Sequence, residues 1–344
     1  MSAWANNAII AKAKAMYGNF LKTEDYEKLI KLNSVSDIAG FLKRQPNYEA
    51  ILKDIQENTI HRGHLESLIR KNTFDQVLRL SKLIFSKDEA FYKLNLLKQE
   101  NEIILAVIRT FISDEKDEKS VLPYFFNEHT DVDMDKLIKA ENFDDLLSAV
   151  KNTAYFNILK PFETDNPDNI RYLDIEHHLE KHYYDEAFKR IDQNYTGKLK
   201  KDVMSIFQTS IELKNITKIY RLKKFYHSDP ITIKNVLIQE HSRISDKRVD
   251  DMIALANPDD ILKYLSKSEY AQFTNDQDYI YIEYYAGRIR YELARKFMYF
   301  AQEVPKVYQS FITLSEIEVE NLTNIIEGVR YQIDENEIKQ MIIY

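Results

Sequence analysis

The chain has 344 residues, 44 % of them hydrophobic and 30 % charged, with a net charge of −7. Six Gly and seven Pro are too few for a sheet-rich protein, since strands and tight turns consume those residues and long helices avoid them. The absence of Cys excludes disulfides and thiolate catalysis, and Lys and Arg interspersed among acids are a poor match for nucleic-acid binding, which favours a basic stripe.

No run approaches the roughly 18 apolar residues that a membrane span needs. Met1 to Phe20 places Lys12 and Lys14 inside its apolar pattern and reads as an amphipathic helix, not a signal peptide, so a cytoplasmic location is expected. Ile9, Ile10, Ala13, Met16 and Tyr17 recur at helical spacing up to a break near Gly18. Asp25 to Lys31 and Ser36 to Lys43 read as short helices, with Ser34 or Ser36 as caps. Ile55, Ile60, Leu65, Leu68 and Ile69 mark a long helix, and Ile103, Ile104, Val107 and Ile108 mark another.

The mixed-charge run from Asp114 to Lys119, followed by Pro123, reads as a linker. Pro161 and Pro167 with Asp165, Asn166, Asp168 and Asn169 make the clearest loop, and a helix from about Ile170 to Asp192 follows it. Tyr226 to Pro230 forms a second linker. Ile282, Ala286, Ile289, Leu293, Phe297 and Phe300 predict a helix over about 276–302 that outweighs the strand-like alternation at Tyr279 to Ile282. Pro305 interrupts the pattern, and a last helix is expected to start at Ser315.

Internal repetition organises the chain. Ser315, Glu318, Asn321 and Ile325 match Thr209, Glu212, Asn215 and Ile219 without a gap, and a fainter copy runs through Asn95, Lys98, Asn101, Leu105 and Arg109. A second landmark, Asn142 to Leu147 with Val150 and Tyr155, matches Asn257 to Leu262 with Leu265 and Tyr270. Asp37, Ile38, Leu42 and Tyr48 fit it with one residue inserted. The copies lie roughly 105 to 115 residues apart, which predicts three similar helical units over 1–118, 119–233 and 234–344.

Ser315-x-x-Glu318 and Thr209-x-x-Glu212 have capping-box spacing and predict helix starts; if the preceding helix runs through, they mark a kink. Asn215 and Asn321 lie three residues after the acids, on the same helix face, so acid and amide can form a buried polar clamp, either within the unit or against a partner. Arg109, Arg221 and Arg330 close the three copies. His178 and His182 are one turn apart, yet no third zinc ligand is evident, and His61 and His64 carry less. No Gly-rich phosphate loop and no Ser, His and acid arrangement is recognisable, so neither active site nor cofactor is expected.

An all-helical, cysteine-free chain in three units, each closing on Glu-x-x-Asn-(Ile/Leu)-x-x-Ile, resembles the C subunits of prokaryotic V-type or archaeal-type ATPases. That family is the counterpart of the d subunits of eukaryotic vacuolar pumps. The residues that carry the likeness are Glu212, Asn215, Ile219, Arg221 and Lys223, then Glu318, Asn321, Ile325, Gly328, Arg330 and Tyr331. The first unit departs from the pattern at Lys98 but keeps Asn101 and Arg109. The resemblance implies a non-catalytic, pseudo-three-fold funnel at the cytoplasmic face of the membrane. It would seat the foot of the central stalk, subunits D and F, stand on the rotor ring of proteolipid subunits, and pass rotation to proton or sodium transport. An open helical-repeat scaffold is the competing reading, and it would keep its termini apart.

Overall fold

The computed structural model describes residues 3–84, 89–113, 130–268, 270–271 and 281–344. The first linker expected from the sequence and the start of the 276–302 helix lie outside the described residues. Helix takes up 74 % of what is described, and no strand occurs among those residues.

In chain order the helices begin with α1 (Ala3–Gly18), α2 (Thr23–Leu29), α3 (Val35–Leu42), α4 (Glu49–Leu52) and α5 (Arg62–Ser81). Next come α6 (Glu89–Tyr92), α7 (Leu94–Ile112), α8 (Met134–Lys139), α9 (Phe143–Ala149), α10 (Ala154–Leu159) and α11 (Tyr172–Asn194). The chain continues with α12 (Gly197–Lys224), α13 (Pro230–Asn235), α14 (Asp246–Ala254) and α15 (Asp260–Lys267). It ends with α16 (Ile282–Phe300), α17 (Val304–Arg330) and α18 (Glu335–Lys339).

Local chemistry sets several of these starts. Ser34 caps α3 by accepting from the Asp37 amide at 3.1 Å, Asn142 caps α9 through the Asp145 amide, and Thr153 caps α10. Gly197 takes a φ of 59° at the head of α12, a left-handed value that suits a residue without Cβ. Two boundaries differ from the sequence reading. Ile55 and Ile60 precede α5, separated from it by a 3₁₀ turn over Glu57–Thr59. Pro305 does not interrupt the last helix but sits in its first turn, where a missing N–H costs nothing.

Packing divides the chain into two compact units. The first comprises Met1–Ser86, Thr196–Lys234 and Gln239–Tyr344. Its core joins the two ends of the sequence. Leu29, Ile38, Leu42, Leu52 and Leu65 share one apolar cluster with Leu322, Ile325, Ile326, Ile338 and Ile342. Each such side chain contributes roughly 1.5–3 kcal/mol on burial, so the N-terminal helices are firmly held on α17. The salt bridge from Arg62 to Glu327, at 2.7 Å, adds a polar edge. Helix α16 lies along α17, and α12 packs on both.

The second unit comprises Lys87–Tyr195 and Asn235–Ile238. Here α11 packs on α7, and α8 on α9. Ile103, Ile104, Val107 and Ile108 of α7, and Ile175, Leu179, Ala187 and Ile191 of α11, recur at helical spacing and are buried.

Candidate functional site

The repeated signature lies inside long helices. Because α12 and α17 continue through Thr209 and Ser315 without a break, neither residue starts a helix, which corrects the capping-box expectation. Ser315 Oγ instead donates to the Phe311 carbonyl at 2.7 Å, one turn back in the same helix. A buried Ser on a helix face and a capping Ser have the same spacing to the acid, so sequence alone does not separate them.

Glu318 is buried and reaches across to the N-terminal helices. Its Oε2 accepts from the Leu21 amide at 2.8 Å, and its Oε1 accepts from Asn47 Nδ2 at 2.9 Å and from Tyr48 Oη at 2.6 Å. Asn47 is fixed in turn by α5: Asn72 donates to its carbonyl and Gln76 to its Oδ1. Burial pushes the Glu318 carboxyl up to about 7, although its three donors pull the other way. Burial also holds the Tyr48 phenol well above its ordinary range, and the adjoining Glu318 adds to this.

Glu212 repeats this arrangement with one added part. Tyr270 Oη donates to its Oε2 at 2.7 Å, and Arg243 grips both oxygens, from Nε at 2.7 Å and from Nη2 at 2.8 Å. The Arg243 amide adds a third bond at 2.9 Å, and Nη2 also donates to Thr209 Oγ1. Burial would raise this carboxyl, but the bonds from Arg243 and Tyr270 outweigh it and hold the group below its ordinary value.

In the second unit the acid is Glu100. Tyr155 Oη donates to its Oε2 at 2.7 Å, and Thr130 Oγ1 donates to Oε1 at 2.5 Å. Burial raises its pKa despite both donors. Lys98 occupies the aligned position, so the carboxylate that does this work stands two residues further along α7. Asn101 is buried beside it and donates to the Leu179 carbonyl at 2.9 Å, while its Oδ1 has no partner among the described residues.

A single rule connects the three sites. Each signature acid accepts from the tyrosine of the next landmark in the chain: Glu100 from Tyr155, Glu212 from Tyr270, and Glu318 from Tyr48, which closes the series 270 residues back. Sequence reading missed Glu100, Arg243 and this pairing. The shared period of acid and tyrosine was the available signal.

Of the remaining signature residues, Asn321 spans both polar groups of Ile343, donating to its carbonyl at 2.6 Å and accepting from its amide at 2.8 Å. Asn215 is buried within α12. The arginines lie further out. Arg109 donates to Tyr172 Oη, Arg221 pairs with Glu283 at 2.8 Å, and Arg330 stacks over the Tyr331 ring. His178 Nδ1 bonds the Asp174 carbonyl, and burial lowers the pKa of His182, whose ring meets Tyr155 edge-on. Among the described residues no group of three or more His, Asp or Glu is placed to hold a metal ion. Each repeated acid accepts from protein donors on segments distant in the chain within its own compact unit.

The family model described as ATP synthase (C/AC39) subunit matches residues 9–341. The chain belongs to this family. As a C/AC39 protein it is a non-catalytic part of an A/V-type ATP synthase complex. Among its relatives is the C subunit of the A-type ATP synthase of Methanosphaera stadtmanae, 21 % identical over 97 % of this chain and 86 % of that protein. The C subunit of the A-type ATP synthase of Methanosarcina mazei is 21 % identical over 76 % of this chain and 69 % of the relative. No described helix of this C/AC39 chain is long and apolar enough to cross a membrane.

Proposed function

We propose that this C/AC39 protein is the socket of the central rotor in a V/A-type ion-translocating ATPase. It receives the central stalk, subunits D and F, on one side and stands on the membrane rotor ring on the other, passing rotation between them at the cytoplasmic face. The family match along 9–341 carries this reading. The three units, 1–118, 119–233 and 234–344, form a closed funnel about a pseudo-three-fold axis. The pairing of Glu318 with Tyr48 supports closure over an open solenoid, because it puts the third signature on the first landmark. Of the signature residues, structural or partner-contacting, Arg109, Arg221 and Arg330 are the exposed ones, near the C-terminal ends of their helices, and are the candidates for partner contact.

Torque crosses a rotor joint only if both of its interfaces hold. Reconstituted vesicles lacking this protein should retain ATP hydrolysis and an assembled ring but lose ATP-driven ion uptake. Added salt should weaken binding at the polar interfaces. Ion uptake at full rate in its absence would overturn the reading.

A further inference from the structure

The joint at Glu318 has no built-in positive charge, whereas the joint at Glu212 has one. Arg243 supplies two side-chain donors and a full counter-charge to Glu212. Glu318 receives three donors of the same geometric quality, but all are neutral: a backbone amide, a carboxamide and a phenol. No cation is bonded to Glu318 among the described residues. An ionised carboxylate in this position bears the cost of burial with only bonded dipoles and the unbonded charge of Lys22 to offset it.

A cavity of about 230 Å³ lies against this carboxyl and is lined by the exposed residues Lys22, Thr23 and Glu24 as well as by Tyr26 and Asn321, so protons have a route to it. The titratable groups that face it are few. Helix α1 brings Tyr17, α16 brings Tyr291, the C-terminus brings Tyr344, and α2 brings Glu24 and Tyr26. Among the described lining residues Lys22 is the one cation, and its Nζ is bonded to the Gly18 carbonyl at 3.0 Å. From α5 the amides of Asn72 and Gln76 approach through Asn47, while Asp37 of α3 is held at its own helix start by Ser34. On α18, Lys339 is paired with Glu27.

We propose that Glu318 makes the joint between the N-terminal helices and α17 proton-responsive, so that it grips more tightly as the medium becomes more acidic, while the Arg243-neutralised joint at Glu212 does not. The chemistry is a single protonation from water. With Tyr48 Oη 2.6 Å away, the protonated carboxyl can donate to the phenol oxygen, and lone pairs remain for the Leu21 amide and Asn47. The contact with Tyr48 thus reverses direction instead of being lost, and the ionised state alone buries a charge. The upward shift to about 7 agrees in direction, because a folded-state value above the ordinary 4.5 means that stability falls as pH rises between the two.

This inference concerns one joint and stands or falls separately from the partners proposed above. Hydrogen exchange of the purified full chain tests it, read at the Leu21 amide and corrected for the intrinsic rate at each pH. Protection should fall by about 70-fold between pH 5 and pH 8. Glu318→Gln should abolish that dependence, and Tyr48→Phe, which keeps the carboxyl but removes one donor to its ionised form, should move the midpoint upward. A flat profile in the unaltered protein, or an unchanged one in Glu318→Gln, would overturn the proposal.

Discussion

Arg243 binds Glu212 through both side-chain oxygens and through its own amide, and thereby ties α12 to the segment that precedes α14. Such bidentate pairing is directional as well as strong. Removing only the arginine would strand a buried carboxylate. Arg243→Met should therefore destabilise the first compact unit by about 2–4 kcal/mol in urea unfolding. Adding Glu212→Gln to that variant should recover part of the loss. A change below about 0.5 kcal/mol would mean that water replaces the guanidinium freely.

The three tyrosines offer an internal comparison. Tyr48→Phe, Tyr155→Phe and Tyr270→Phe each delete one donor to a buried carboxyl, at about 1–2 kcal/mol. Tyr270→Phe should cost least, because Arg243 still engages the same oxygen of Glu212. Equal losses at all three positions would contradict the role assigned to the arginine.

Asn321→Leu should be the most damaging of the amide replacements, at about 1–3 kcal/mol, since it orphans both the amide and the carbonyl of Ile343. Asn101→Leu should cost less, because only the bond to Leu179 is lost and an unpartnered oxygen disappears with it. Asn215→Leu, at another buried position, should also lower stability. Thermal melting of the three variants ranks them, and an unchanged melt for Asn321→Leu would sink the argument.

Acid should act on Glu212 in the opposite sense to Glu318. Its folded value is held below the ordinary 4.5, so its contribution is complete above 4.5 and is lost as pH falls through the folded value. Unfolding followed against pH should show a loss of stability below about 4.5 that shrinks in Glu212→Gln. If the acid limb is the same in that variant, other carboxylates govern it.

Much of this molecule was legible in its sequence. The scarcity of Gly and Pro gave the helical class, because those residues disfavour helix interiors for steric and entropic reasons that act locally. The spacing of Glu318 and Asn321 gave a shared buried face, because residues three apart are neighbours on any helix. A serine cap, Ser34 or Ser36, was legible for an equally local reason, and the structure uses Ser34.

What the sequence did not determine were the partners across helices. The Ser315 hydroxyl turned back to its own helix, Glu100 replaced the position held by Lys98, and Arg243 came from a segment with no matching motif. Gly328 lets Ile338 come so near that an added Cβ would lie 2.6 Å from it, a contact that no periodicity encodes. Above all, the tertiary structure decided that the third signature meets the first landmark, with Tyr48 on Glu318. Helical geometry fixes neighbours within about a turn, whereas a bond across 270 residues depends on how the apolar faces of distant helices pack.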